Sequence, residues 1–116
     1  MIEFTQVNLH KASQATMLAG QSMVGKEKIV LAITEPHTVA AKITGMPKGT
    51  KSVYDRTTTH TGPPPRAAII ANAAVEMNAL DRWCSRDCAA ALLKTQDQQI
   101  LILSVYLDIK LPVVQP

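Results

Sequence analysis

A strand, a helix and a second, almost wholly apolar strand follow one another within the first 34 residues, and this succession constrains the fold more than any other feature of the chain. In Ile2–Leu9, Ile, Phe and Val alternate with Glu, Thr and Gln before an Asn-Leu exit, the period of a strand with one buried face. From about Ser13 to Met23 the sequence sets Ala15, Leu18, Ala19, Ser22 and Met23 on one helical face, with Gly25 as a stop. Lys28–Thr34 (KIVLAIT) is apolar on both faces, as a strand buried between layers must be. Pro36 ends it, because proline has no amide to continue a ladder. Two strands joined through a helix lie parallel by a crossover, which places the chain in the α/β (α+β) class.

The middle of the chain changes character. Gly45, Pro47, Gly49, Gly62 and the prolines at 63–65 predict a long loop over 37–65, interrupted by one short strand around Ser52–Arg56. Apolar runs return at Arg66–Asn72, Asp87–Thr95 and Gln99–Leu107. The last two flank the polar Gln96-Asp97-Gln98 and read as a β-hairpin. Leu80–Arg86 reads as a single helical turn. With 116 residues the chain has room for one domain, and at 47% hydrophobic and 18% charged it is expected to fold. One Trp, one Phe and two Tyr leave the core to Ala, Val, Ile, Leu and Met, a composition that buries little area per residue.

Charge and cysteine narrow the function classes. Lys11, Lys26, Lys28, Lys42, Lys48, Lys51, Arg56 and Arg66 face only Glu3, Glu27, Glu35 and Asp55 in residues 1–66, a mildly basic half compatible with a polyanion or with ordinary solubilising charge. Cys84 and Cys88, spaced C-x-x-x-C, match neither a redox pair nor half of a zinc site and read as two reduced thiols. No apolar stretch reaches membrane-spanning length, and Glu3 argues against a signal peptide, so no membrane partner is expected.

Three polar residues stand at or just past strand ends, where α/β folds gather ligands: Asn8, Glu35 and Tyr106. An amide, a carboxylate and a phenol at one sheet edge could bind a hard cation and a phosphate oxygen. Each also has an ordinary reading, as turn former, loop acid and core residue with a wet hydroxyl. His10, His37 and His60 follow no ligand rhythm and read as solvated. Trp83 reads as a partly buried packing residue rather than a base-stacking platform.

The strings Gln6-Val-Asn8-Leu-His-Lys11, Ile33-Thr-Glu35-Pro36, Pro65-Arg-Ala-Ala-Ile69 and Ser104-Val-Tyr106, in this order, resemble the non-LTR retrotransposon branch of the endonuclease/exonuclease/phosphatase superfamily, whose members are DNase I-like. The resemblance runs along residues 2 to 109, about the N-terminal half of such a domain. It implies a four-layer DNase I-like β-sandwich with flanking helices, truncated to about its first half, so that residues 1–116 form a partial domain. It implies a Mg²⁺- or Mn²⁺-dependent DNA endonuclease, with a reverse transcriptase domain downstream in the parent polyprotein and a nuclear, intracellular setting. There the enzyme nicks target DNA to expose a primer end.

Position by position, Glu35 resembles the family's metal-ligating glutamate, Asn8 the asparagine beside that metal, and Tyr106 the tyrosine on the scissile phosphate. Arg66 and Lys11 resemble residues near the DNA phosphate backbone. Where relatives show a proline after the tyrosine, this chain has Leu107-Asp108-Ile109. The family's Gly-Asp-x-Asn segment and terminal Asp-His pair have no counterpart after Asp108, so the fragment is expected to be inactive alone and to self-associate through an exposed sheet. A non-catalytic remnant or interaction module, and a superfamily phosphatase or RNA nuclease, are the competing readings.

Overall fold

The computed structural model describes residues 2–56 and 63–107. The crossover predicted from the first 34 residues is present: β1 (Glu3–Asn8) leads through α1 (Ser13–Gln21) into β2 (Ile29–Thr34), and the two strands pair in parallel from Glu3↔Ile29 to Asn8↔Thr34. β3 (Thr38–Val39) and β4 (Lys42–Ile43) form a small hairpin of their own. β5 (Lys51–Val53) and β6 (Ala67–Ala71) complete a four-stranded sheet in the order β1-β2-β6-β5, with β6 antiparallel to both neighbours. β7 (Glu76–Ala79), β8 (Cys88–Lys94) and β9 (Gln99–Val105) make a second, antiparallel sheet.

The alternation of side chains explains how the sheets stack. From β2 and β6, Val30, Ile69 and Ala71 point toward the second sheet and pack with Ala89, Ala91 and Leu93. Their neighbours Ile29, Leu31, Ile33, Ala68 and Ile70 point the other way and pack with Ala15, Ala19 and Met23 of the helical region. Because every residue of β6 is buried, both its faces must be apolar, and AAIIA supplies that. Small alanines facing one another let the sheets approach closely. The buried Ser104 hydroxyl donates across the sandwich to the Ile33 carbonyl (2.9 Å), satisfying a polar group that could not reach water. Helix, sheet and sheet thus form successive layers, a mixed α/β arrangement consistent with part of a DNase I-like sandwich.

Several local expectations need correction. The stretch 37–65 is not loop throughout its described part: it carries β3, β4 and β5, and β5 lies at Lys51–Val53 rather than around Ser52–Arg56. β7 was not foreseen, since EMNA has no apolar alternation and is held by its pairing with β8. Ala15, Ala19 and Met23 face inward as expected, but Leu18 is 61% exposed and the inward face extends on its other side. That face carries Thr16 and Gly20, because the Gly45 loop crosses so closely that a Cβ at Gly20 would lie 2.1 Å from the Gly45 carbonyl oxygen. Trp83 is 56% exposed; the 3-10 turn Asp81–Trp83 lays Cys84 rather than the indole on β8, where its thiol accepts the Ala90 amide. Both cysteines are free thiols. Among the described residues, no helix is long and apolar enough to cross a membrane. His60 and Asp108 lie outside the described residues.

Candidate active site

Strand ends from both sheets meet at one edge, and backbone hydrogen bonds pass from each to the next. The Leu9 amide donates to Thr34 O (2.9 Å), and the Lys11 amide to Glu35 O (2.7 Å). The Glu35 amide donates to Arg66 O (2.9 Å), and the Arg66 amide to Arg86 O (2.7 Å). On the second sheet the Tyr106 amide donates to Asp87 O (2.8 Å). The parallel pairing of β1 with β2, and the antiparallel pairings of β2 with β6 and β8 with β9, put these ends on the same side. Binding residues collect at such edges because the rigid ladder holds side chains that it does not itself need for packing.

Glu35 is the most constrained of them. Its φ is +50°, in the left-handed region that a residue with a Cβ avoids. The amide and carbonyl bonds to Arg66 and Lys11 hold it there, and Pro36 fixes the exit. The side chain is 17% exposed, with Oε2 3.9 Å from His10 Nδ1. Asn8 shapes the adjoining turn: its Oδ1 accepts the His10 amide (2.9 Å), an Asx-turn that carries His10 and Lys11 through φ of +51° and +59°. Thr16, fully buried, ties the helix to this loop, its hydroxyl accepting the His37 amide (3.0 Å) and donating to Ala12 O (2.8 Å).

The structure distributes the expected residues over two adjoining hollows. Asn8, Thr34 and Tyr106 line one; Glu35, Lys11 and Arg66 line the other, walled by Pro36, Pro64 and Pro65. His10 bridges Asn8 to Glu35, and Arg66 bridges the hollows from the opposite side, its guanidinium carbon 4.7 Å from the centre of the Tyr106 ring. Two partners were missed from sequence. His10, solvated on sequence grounds, keeps an exposed ring, although that ring stands beside Glu35. Asp87 accepts both Arg66 nitrogens, Nε at 2.5 Å and a terminal nitrogen at 2.7 Å, the two-pronged geometry that only a guanidinium offers. This hydrogen bonding holds the Asp87 carboxyl below its ordinary value, against the opposing effect of burial and with help from the charges of Arg66 and Arg86. An acid opening a strand carries no sequence signal that separates it from a solvated charge.

Magnesium is commonly held by one or two carboxylates, with waters and substrate phosphate filling the octahedron. Glu35 offers a half-buried carboxylate, and the Asn8 amide oxygen keeps a lone pair beyond the one used by His10. This donor set fits a hard cation that leaves most of its positions to other ligands. Among the described residues, no group of three His, Cys, Asp or Glu stands together as a cage.

No protein-family model matches the chain, and no curated protein matches it in sequence. Among solved structures, the endonuclease domain of TRAS1, a telomere-specific non-LTR retrotransposon, is similar with a TM-score of 0.67 and 14% identity. The match covers 93% of this chain and 45% of that one, so the chain spans just under half the length of its structural neighbour. At this identity the likeness establishes the fold: the two sheets and their helix adopt a nuclease-like, partial DNase I-like architecture.

Proposed function

We propose that this chain contributes the glutamate side of a metal-dependent site that hydrolyses phosphodiester bonds in DNA. The observation that supports the reading is the meeting of strand ends at one edge, which gathers Asn8, Glu35, Lys11, Arg66 and Tyr106 in adjoining hollows of a nuclease-like fold. Glu35 and Asn8 would hold Mg²⁺ or Mn²⁺, which supplies Lewis-acid withdrawal of charge from a phosphate oxygen. Tyr106 donates its hydroxyl proton in a hydrogen bond to that phosphate, favouring the more charged transition state. Lys11, exposed at the rim, attracts the DNA backbone.

Hydrolysis also needs a base for the attacking water, and this reading assigns none among the described residues. A polypeptide of these 116 residues is therefore expected to bind Mg²⁺ weakly and to nick supercoiled plasmid poorly. In the proposed setting the parent protein supplies the remaining machinery and a reverse transcriptase, and acts in the nucleus. The test is a Mg²⁺ titration followed by amide resonances: those of Asn8 and Glu35 shift, and Glu35→Gln abolishes the shifts. Unmoved amides at both positions would sink the metal reading. Robust plasmid nicking that Glu35→Ala abolishes would show the site to be complete rather than partial.

A second reading, a non-catalytic interaction module, is favoured by one observation: the second sheet ends in β9, whose outward Leu101, Leu103 and Val105 are about half exposed. Metal-induced shifts at Glu35 discriminate against it. Cleavage of inositol phosphates in preference to plasmid DNA by the full-length protein would move the assignment to a phosphatase.

A further inference from the structure

We propose that Arg66, held by Asp87, is the positioning residue for Tyr106 rather than a DNA phosphate contact. The inference rests on the proposed phosphodiesterase reading only for its purpose; the contacts stand without it. Asp87 meets Tyr106 through its carbonyl, which accepts the tyrosine amide (2.8 Å), and meets Arg66 through its carboxylate, at 2.5 and 2.7 Å. Arg66 in turn accepts the Glu35 amide at its carbonyl (2.9 Å) and lays its guanidinium over the Tyr106 ring at 4.7 Å. These contacts close a loop through Asp87, Tyr106 and Arg66, with Glu35 attached to Arg66.

The loop also crosses the sandwich. Glu35 and Arg66 adjoin β2 and β6 of one sheet, while Asp87 and Tyr106 adjoin β8 and β9 of the other. A guanidinium suits this place because it is planar. Its edge engages both carboxylate oxygens while its face lies on an aromatic ring, which a lysine ammonium cannot do at once. The Arg66 side chain is 19% exposed and the edge formed by Nε and one terminal nitrogen is occupied by Asp87, so its charge is already paired and a phosphate could use that two-pronged edge only by displacing the carboxylate. Lys11, exposed at the rim of the same hollow, meets no carboxylate at its ammonium among the described residues and is the better placed cation for a backbone contact.

The test uses the whole chain in two arms. In the first, Tyr106 ring proton shifts are followed by NMR in Arg66→Lys, Asp87→Asn and Asp87→Glu. Arg66→Lys and Asp87→Asn are expected to move the ring signals in the same direction, the double variant no further than either alone, and Asp87→Glu to restore them in part. Backbone amide spectra report folding, and a variant that unfolds is replaced by Arg66→Gln. In the second arm, binding of a short DNA duplex without metal is measured against salt. Arg66→Gln leaves the slope of log affinity against log salt unchanged, whereas Lys11→Gln lowers it by about 0.9, the value of one lost phosphate contact. Ring signals indifferent to both Arg66→Lys and Asp87→Asn overturn the proposal, as does a slope that falls by about one unit in Arg66→Gln. A wild-type chain that binds no DNA overturns the nuclease reading alone, and the ring signals still decide the role of Arg66.

Discussion

Replacing Glu35 with glycine is expected to stabilise the fold while removing the acid on which the proposed chemistry depends. The backbone at Glu35 has φ of +50°, and a non-glycine residue held in the left-handed region costs about 1–3 kcal/mol. Glycine adopts it freely, although the greater freedom that glycine gives the unfolded chain returns about 0.4–1 kcal/mol of that gain. Glu35→Ala keeps the Cβ and therefore the strain. The difference between the glycine and alanine variants, about 1 kcal/mol in favour of glycine, isolates the backbone contribution from whatever the carboxylate does. Urea unfolding followed by circular dichroism measures it: with a slope of about 2 kcal/mol per molar, the glycine midpoint should lie about 0.5 M above that of alanine. Mg²⁺-induced shifts at Asn8 should vanish in both. An alanine midpoint equal to or above that of glycine would refute the claim that Glu35 is held under strain.

Three further outcomes follow from the same structure. The Asp87 carboxyl, held low mainly by Arg66, should titrate below its ordinary value of 3.8 and return toward it in Arg66→Gln. Because its folded pKa is depressed, the pair stabilises the fold above about pH 4 and that contribution is lost as pH falls through the folded value, so the urea midpoint of Arg66→Gln should fall less steeply than that of the parent as pH is lowered through that window. Thr16→Val removes the buried hydroxyl that accepts the His37 amide, and should cost about 1–3 kcal/mol by leaving that amide unsatisfied, read as a drop in urea midpoint. Ala12 has extended N-cap geometry (φ −83°, ψ 127°) and no side-chain cap, so Ala12→Ser should add about 1 kcal/mol; an unchanged midpoint would show that the helix start is held by the Asn8 turn instead.

The elements legible in the sequence are those whose pattern is carried by contiguous residues. β1, α1 and β2 announce themselves through a change of period and a terminal proline, and β8 and β9 through apolar runs around a polar turn. β5 was anticipated a residue or so late, whereas β3 and β4 are two residues each and β7 is held by its pairing with β8, so runs of two to four residues of weak preference could not reveal them. The exposure of Leu18 on α1 was hidden for a related reason. Leu18 is the more apolar residue, yet Gly20 faces inward because only a missing side chain admits the Gly45 loop. At the candidate site, Asn8, Glu35 and Tyr106 could be placed at strand ends because those ends are legible in the sequence. Asp87 was not, because its meaning lies in Arg66, 21 positions earlier in the chain.

The residues of this edge are drawn from positions 8, 35, 66, 87 and 106, one from nearly every long strand of the two sheets. Beyond the Asn8–Lys11 turn, no stretch of neighbouring residues builds any part of it, and each added member closes a large loop whose entropy opposes it. The cluster can therefore appear only late, once both ladders have formed and stacked, and topologies so dependent on distant pairings fold slowly. A burst of protection at the Lys11, Glu35, Arg66 and Tyr106 amides, arriving together after the hairpin amides of β8 and β9, is the kinetic trace that such an origin leaves in pulsed hydrogen exchange.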